Sequence, residues 1–550
     1  MVVLNEKSNS CCLLKMIAML QVANRCFHRL LLILLVIFKI MACQCASADD
    51  PNDMSREGRL WEPYVSWSIH VPEYAGNPFD IKSSVQFLHD ETGEERNTEM
   101  FYIGNNSWEF RFAGTQVGLW SFETTSDIES LHGLTGNINI KPNPDPDIRG
   151  FLTYQGNQYA RMNTNTSDLE GYLFTVFMDR NKHESYLDKM SIDLEVLTRE
   201  TLAFLDTARQ NGCEVLFLHV NNNWFQFGER QHNTHNQTTP DLQTFQMIET
   251  IITTVHKAGG RVHIWKWGDE QRHWTPLGLP GGANGETDQR LQRYIAARLG
   301  PLPGWSMGYG FDLHEWTDEK QVTAWASYLQ AHMGWPHLLS ARGYPIQTAH
   351  TINSYDGYDR RRTPLRTSNA GPESYYEIDA HMKNDLAKPH IYEERHTFNR
   401  TGHDNLDMDG IRRLLWWTAM AGGMGSFIGF YPADSSAFGG HPYPAEVQLR
   451  TYHTFWREHK RFVLGMALAN SLSPGGAWIL KDAEDISYVL YQEDTATIEV
   501  DLTHLASPLP AVAVNTKMAY EEIPLGEVQP GLQTLRFPVS SDWAVAIGVF

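Results

Sequence analysis

From about residue 150 to 462 the chain repeats one pattern: a short apolar run, a polar break, then a stretch with helical spacing. Runs that are apolar on both faces need helices as a cover, and parallel neighbours need a crossover between them. The runs are "YLFTVFM" (172–178), "EVLFLHV" (214–220), "RVHIWKW" (261–267), "WSMGYGFDL" (305–313), "HLLS" (337–340), "HTINSY" (350–355), "HIYEE" (390–394) and "MGSFIGFY" (424–431). Helices are predicted over 191–210, from Thr239-Pro240-Asp241 to Gly259-Gly260, and near 286–299, 317–332, 373–387, 407–420 and 443–460. Eight strands in this order and length predict an α/β fold, a (β/α)8 TIM barrel over 150–462. Little helix fits between the fifth and sixth strands.

The flanks read differently. Residues 55–147 hold short alternating segments such as "YVSWSIHV" and "GLWSFETTS", predicting an Ig-like β-sandwich, and the stiff "KPNPDPDIRG" (141–150) marks a boundary. Residues 466–550 return to short strands, "AWILKD", "SYVLYQE", "TATIEVDL", "LQTLRFPV" and "WAVAIGVF", predicting a small C-terminal β-sandwich. Residues 1–48 combine Arg25 and Arg29, the apolar "LLLILLVIF" (30–38) and "ASA" (46–48), the pattern of a secretory signal peptide. The expectation is a secreted or periplasmic protein with no membrane span. "IMAC" (40–43) leaves a lipid-anchored surface form as an alternative.

Five of the six cysteines lie in that leader, leaving Cys213 and no disulfide or cysteine metal site. Removing the leader's five basic residues and one acid leaves 40 basic and 64 acidic residues, net −24. Such a surface repels nucleic acid, which is set aside as a partner.

In barrels of this kind, chemistry stands at the C-terminal strand ends. Strand 7 ends in Glu393-Glu394, and strand 4 runs into Asp312-Leu313-His314-Glu315-Trp316. Two carboxylates facing one pocket are the machinery of glycoside hydrolysis: one acid protonates the leaving oxygen, the other attacks the sugar carbon. Strand alternation puts Glu394 with His390 and Tyr392, opposite Ile391, which favours Glu394 over Glu393 as the inward group. On strand 4 the same parity places Glu315 with Phe311 and Leu313 and needs a bulge to turn it inward. Glu315 is the preferred acid/base and Asp312 its rival.

A strand-4 glutamate followed 79 positions later by a strand-7 glutamate, with "KPHIYEE" placing Glu394 five residues after Pro389, resembles the retaining clan-A glycoside hydrolases. The front segment with "GLWSFETTS" is similar to the immunoglobulin-like domain found ahead of apiosidase-like barrels. The resemblance implies a retaining double displacement, with Glu394 as nucleophile and Glu315 as acid/base. His314 stands where that clan has an asparagine that holds the sugar 2-hydroxyl, and Tyr355 matches the aromatic residue that orients the nucleophile.

Other rim residues follow from position alone. Trp224 and Trp267 offer indole faces for sugar C–H groups, with Trp305, Trp416 and Trp417 read as packing. Asn223, within Asn221–Asn223, and Asp269 offer hydrogen bonds to hydroxyls. The run Arg360-Arg361-Arg362 reads first as a solvated face and second as a holder of an anionic sugar. No H-E-x-x-H, G-x-S-x-G or phosphate-cradling glycine loop is present, so no cofactor and no catalytic metal is expected, with a structural calcium left open. A carbohydrate substrate is the expected partner. Two rival readings remain: a carbohydrate-binding protein on a degenerate barrel, favoured by His314, and a polysaccharide lyase using Tyr355.

Overall fold

The computed structural model describes residues 54–163, 166–169, 175–177, 187, 190–227, 237–268, 273–310, 313–341, 344, 351–354, 388–391, 397–398, 408–424, 428–429, 446–463 and 465–550. It is a mixed α/β architecture. At the N-terminal side, a five-stranded sheet (56–59, 135–141, 118–126, 83–89 and 95–99 in spatial order) faces a three-stranded one (65–70, 107–112, 101–104). Alternation drives their packing. Val85 and Phe87 from one sheet and Trp67 and Phe110 from the other are buried, with Trp67 stacked on Phe110 at 5.0 Å and edge-on to Phe122.

The central sheet is parallel and seven-stranded: β1 (Thr175–Phe177), β2 (Val215–His219), β3 (Arg261–Trp267), β4 (Trp305–Gly310), β5 (Leu339–Ser340), β6 (Thr351–Ser354) and β7 (His390–Ile391). Their spatial order is their chain order. Between them run α1 (Leu194–Gln210), α2 (Leu242–Lys257), α3 (Glu286–Leu299) and α4 (Glu319–His332); α5 (Met408–Met420) and α6 (Glu446–His453) follow. Caps fix several starts. Asp193 accepts from the amides of Glu195 and Val196, Asp241 from Thr244 and Asp318 from Gln321, each worth about 1 kcal/mol. The expected helix over 373–387 lies outside the described residues.

Two elements differ from the sequence expectations. Residues 152–155, 158–163 and 166–169 form a three-stranded antiparallel sheet, turned at Gly156 with φ +53° between its first two strands, where no such sheet was expected. Its Leu152 and Tyr159 pack with Leu338 and Met424. The C-terminal strands join one six-stranded sheet, in which Ser487–Asp501 and Leu532–Gly548 are single long strands. Register shifts between Gln492 and Thr497 bend them, so Ile498, Val500 and Phe537 share a core with Tyr488 and Val545.

A charged seam joins the N-terminal sheets to the helices. Arg111 donates to Glu249 of α2 at 2.7 Å, and Arg298 of α3 reaches the same carboxylate. Arg293 donates to Glu99 at 2.9 Å, and His332 of α4 meets Glu99 at 2.6 Å. Burial alone would raise both carboxyls. Arg111 and Arg298 hold Glu249 below the usual carboxylate range, and His332 and Arg293 do the same for Glu99. A depressed folded-state value means that the stabilisation is complete above the ordinary glutamate value of about 4.3 and is lost as pH falls through the lowered values. Urea midpoints are therefore expected to fall on acidification below about pH 4, and to fall less steeply for Glu99→Gln.

Candidate functional site

The two faces of the central sheet carry different chemistry. Leu216 and Leu218 of β2, Val262 and Ile264 of β3 and Met307 of β4 join the core shared with the helices. Alternation sends Phe217, His219, His263, Trp265 and Ser306 the other way. There the rings form a ladder. His263 Nδ1 lies 2.7 Å from the Ser306 hydroxyl, Phe217 lies 4.6 Å from the His263 ring and edge-on to Trp265 at 4.5 Å, and Trp265 stacks on His219 at 4.9 Å and 24°. Trp274 closes against the same group. His219, at the C-terminal end of β2, is only half-buried. The sequence expectation counts Trp265 among the tryptophans of strands 2 to 4 but prefers Trp224 and Trp267, and it passes over His219; the parity rule applied to "LFLHV" and "RVHIWKW" together picks out both His219 and Trp265.

Beyond β2 the chain makes a single tight turn, Asn221–Trp224, in which all four residues are buried. Asn221 adopts φ +53°, a conformation asparagine tolerates well. Asn223 is 1% exposed and Trp224 is fully enclosed, its indole N–H donating to the Lys266 carbonyl at 2.8 Å. Trp267 is fully buried as well, stacked on Phe225 at 6.4 Å, with the Lys266 ammonium 5.1 Å from its ring. In this arrangement neither Trp224 nor Trp267 presents an open face: they form the wall behind the strand ends.

Strand 4 stops earlier than its sequence indicates. β4 ends at Gly310 (φ +158°), where a Cβ would stand 2.7 Å from the Trp267 carbonyl oxygen, and Leu313–Glu315 is one turn of 3-10 helix. The alternation rule therefore does not reach Glu315. The turn buries Leu313 and Trp316 and leaves His314 and Glu315 exposed. Gly310→Ala is expected to force β3 and β4 apart at a cost of about 1–3 kcal/mol, and to lower activity by displacing this turn; urea unfolding and a turnover assay on one preparation check both.

Glu393, Glu394, Asp269, Asp312, Tyr355 and Arg360–Arg362 lie outside the described residues. What is described of their neighbourhood is Lys388 to Ile391, where the buried His390 carbonyl accepts from the Met424 amide at 2.8 Å. Among the described residues no group of three or more His, Cys, Asp or Glu is placed to hold a metal ion, and no helix is long and apolar enough to cross a membrane.

The fold is shared with solved glycoside hydrolases. A Bacteroides vulgatus protein provisionally described as a glycoside hydrolase aligns at a TM-score of 0.65 and 15% identity, covering 90% of this chain and 99% of that one. A structure described as a glycoside hydrolase aligns at 0.54 and 14%, covering 73% and 97%. A family 5 glycoside hydrolase from Bacteroides vulgatus aligns at 0.54 and 10%, covering 73% and 94%. Residues 60–127, within the N-terminal sheets, match a domain of unknown function, DUF5060. Comparison with curated proteins gives no match.

Proposed function

We propose that the chain is an exported glycoside hydrolase that cleaves a polysaccharide or oligosaccharide by retaining double displacement. The observation that carries this reading is the placing of Glu315, exposed in the first turn beyond the C-terminal end of β4, in a chain whose fold follows one provisionally described glycoside hydrolase over nine-tenths of its length and two further glycoside hydrolases over 73%. Glu315 protonates the leaving oxygen and then activates water; Glu394, three residues past Ile391 of β7, attacks the anomeric carbon. His314, Asp269 and Tyr355 supply polar contacts to the sugar, while Asn223, Trp224 and Trp267 hold the rim from behind.

The architecture we infer with this reading is a signal segment (1–48), an Ig-like sandwich (55–147), a (β/α)8 barrel (150–462) and a C-terminal domain (466–550) built on the single bent six-stranded sheet. Support for a closed barrel is that the strand Ile428–Gly429 comes within 8 Å of β1 between Cα atoms. A second reading, a binding protein without turnover, is favoured by His314 in place of asparagine. A polysaccharide panel followed by chromatography separates the two. Product from wild type and none from Glu315→Gln supports hydrolysis; binding with no product from either supports the second reading.

A further inference from the structure

A cavity of about 750 Å³ lies on the helical flank, between the N-terminal sheets and helices α1 and α2, within the range of about 300–1,000 Å³ typical of ligand sites. It is neither a crevice at the strand ends nor a dry packing defect. Leu194, Leu202 and Leu242 supply apolar wall, and Gln246, Thr250 and Thr253 supply amide and hydroxyl groups along one face of α2. Leu194 and Leu202 are 40% and 37% exposed, high for leucines on a helix against a folded neighbour.

The floor is more specific. Arg111, 4% exposed, lines the cavity and is held by the Tyr64 ring, 3.9 Å from its guanidinium carbon. Its Nε donates to Glu109 at 2.5 Å, and its Nη1 donates to Glu249 at 2.7 Å and to the Arg298 carbonyl at 3.0 Å. Among the described residues Nη2 has no hydrogen-bond partner, and it is not among the side-chain atoms sealed from solvent without one. Its two N–H donors are therefore available at the cavity Arg111 lines, where a ligand oxyanion can replace water. Lys257, exposed at the same cavity, has no ion-pair partner among the described residues. The ionisable lining is Arg111, Arg298 and Lys257 against Glu109 and Glu249: one positive charge in excess, on a chain of net charge −20.

We propose that this groove is a second saccharide-binding site, which takes a sugar bearing an oxyanion, a uronate carboxylate or a sulfate. Sugar C–H faces lie against the leucines, hydroxyls meet Thr250, Thr253 and Gln246, and the oxyanion takes the Arg111 Nη2 donors under the field of Lys257. The site is chemically separate from the carboxylate pair and stands whether or not that pair turns over substrate.

Titration calorimetry on the full chain tests it with three probes: an oligogalacturonate, a sulfated oligosaccharide and a neutral cello-oligosaccharide. Lys257→Glu reverses the charge at the edge, and Thr253→Trp fills the groove; thermal melting checks that each is folded. Both are expected to weaken acidic-probe binding by roughly tenfold or more, while Glu315→Gln leaves it unchanged. Preference between the two acidic probes identifies the oxyanion. If Thr253→Trp does not fold, Lys257→Glu decides alone. Equal binding by wild type and the groove variants, loss only in Glu315→Gln, equal binding of the neutral probe, or no binding of any probe would each overturn the proposal.

Discussion

Glu394→Gln is expected to lower turnover by roughly 10³-fold or more with thermal unfolding unchanged. The amide has the volume of the acid and lacks the negative charge that attacks the anomeric carbon, so chemistry is lost while packing is kept. Glu393→Gln is the internal control. With Glu394 as nucleophile, removing the neighbouring charge changes the rate by a few-fold at most. Glu315→Gln is expected to behave differently from both. It removes the proton donor, a loss of about 10²–10⁴ that shrinks for substrates whose leaving group needs no proton, and it erases the alkaline limb of the pH–rate profile. Wild-type rates in Glu394→Gln together with a collapse in Glu393→Gln would move the nucleophile one residue upstream.

The second large effect is on stability. Lys266 and Asp288 are both fully buried and paired at 2.6 Å between β3 and the first turn of α3. Asp288 also accepts from the Asn284 amide at 3.0 Å. Burial pulls the Lys266 ammonium below its ordinary range, and the Asp288 carboxylate opposes that pull. Asp288→Asn leaves the ammonium without a counter-charge in a dry interior and is expected to cost about 3–5 kcal/mol. The double variant Lys266→Met/Asp288→Leu removes both charges and is expected to be less damaging than Asp288→Asn alone. Urea unfolding of the set reads this directly; an unchanged midpoint in Asp288→Asn would mean the pair contributes nothing. Activity should fall with stability here, because the Lys266 carbonyl holds Trp224 and its ammonium lies beside Trp267.

Much of this arrangement is legible in residue patterns. The expected helix 286–299 coincides with α3, since Gly285, Glu286 and Gly300 mark its ends, and the strand expected at 261–267 coincides with β3. The strand expected over 305–313 gives way to a 3-10 turn by Leu313, because Phe311 and Leu313 continue the apolar alternation in the sequence while the close approach of Gly310 to the Trp267 carbonyl depends on a neighbour 43 residues away. The expected strands "SYVLYQE" and "TATIEVDL" are one strand, and Asp494 between them sits at φ +49° in its bulge. The tryptophan pattern does not reveal which rings are open. Trp224 is sealed by a bond to a carbonyl on another strand, and no local pattern reveals that. The Arg111–Glu249–Arg298 seam, joining three elements remote in the chain, was likewise invisible.

The most direct test of the carboxylate-pair mechanism is proton NMR of the reducing end released at the start of hydrolysis, before mutarotation. Glu315 and Glu394 acting by double displacement predict that the first anomer keeps the configuration of the cleaved bond. An inverted anomer, or an unsaturated sugar in its place, would contradict it.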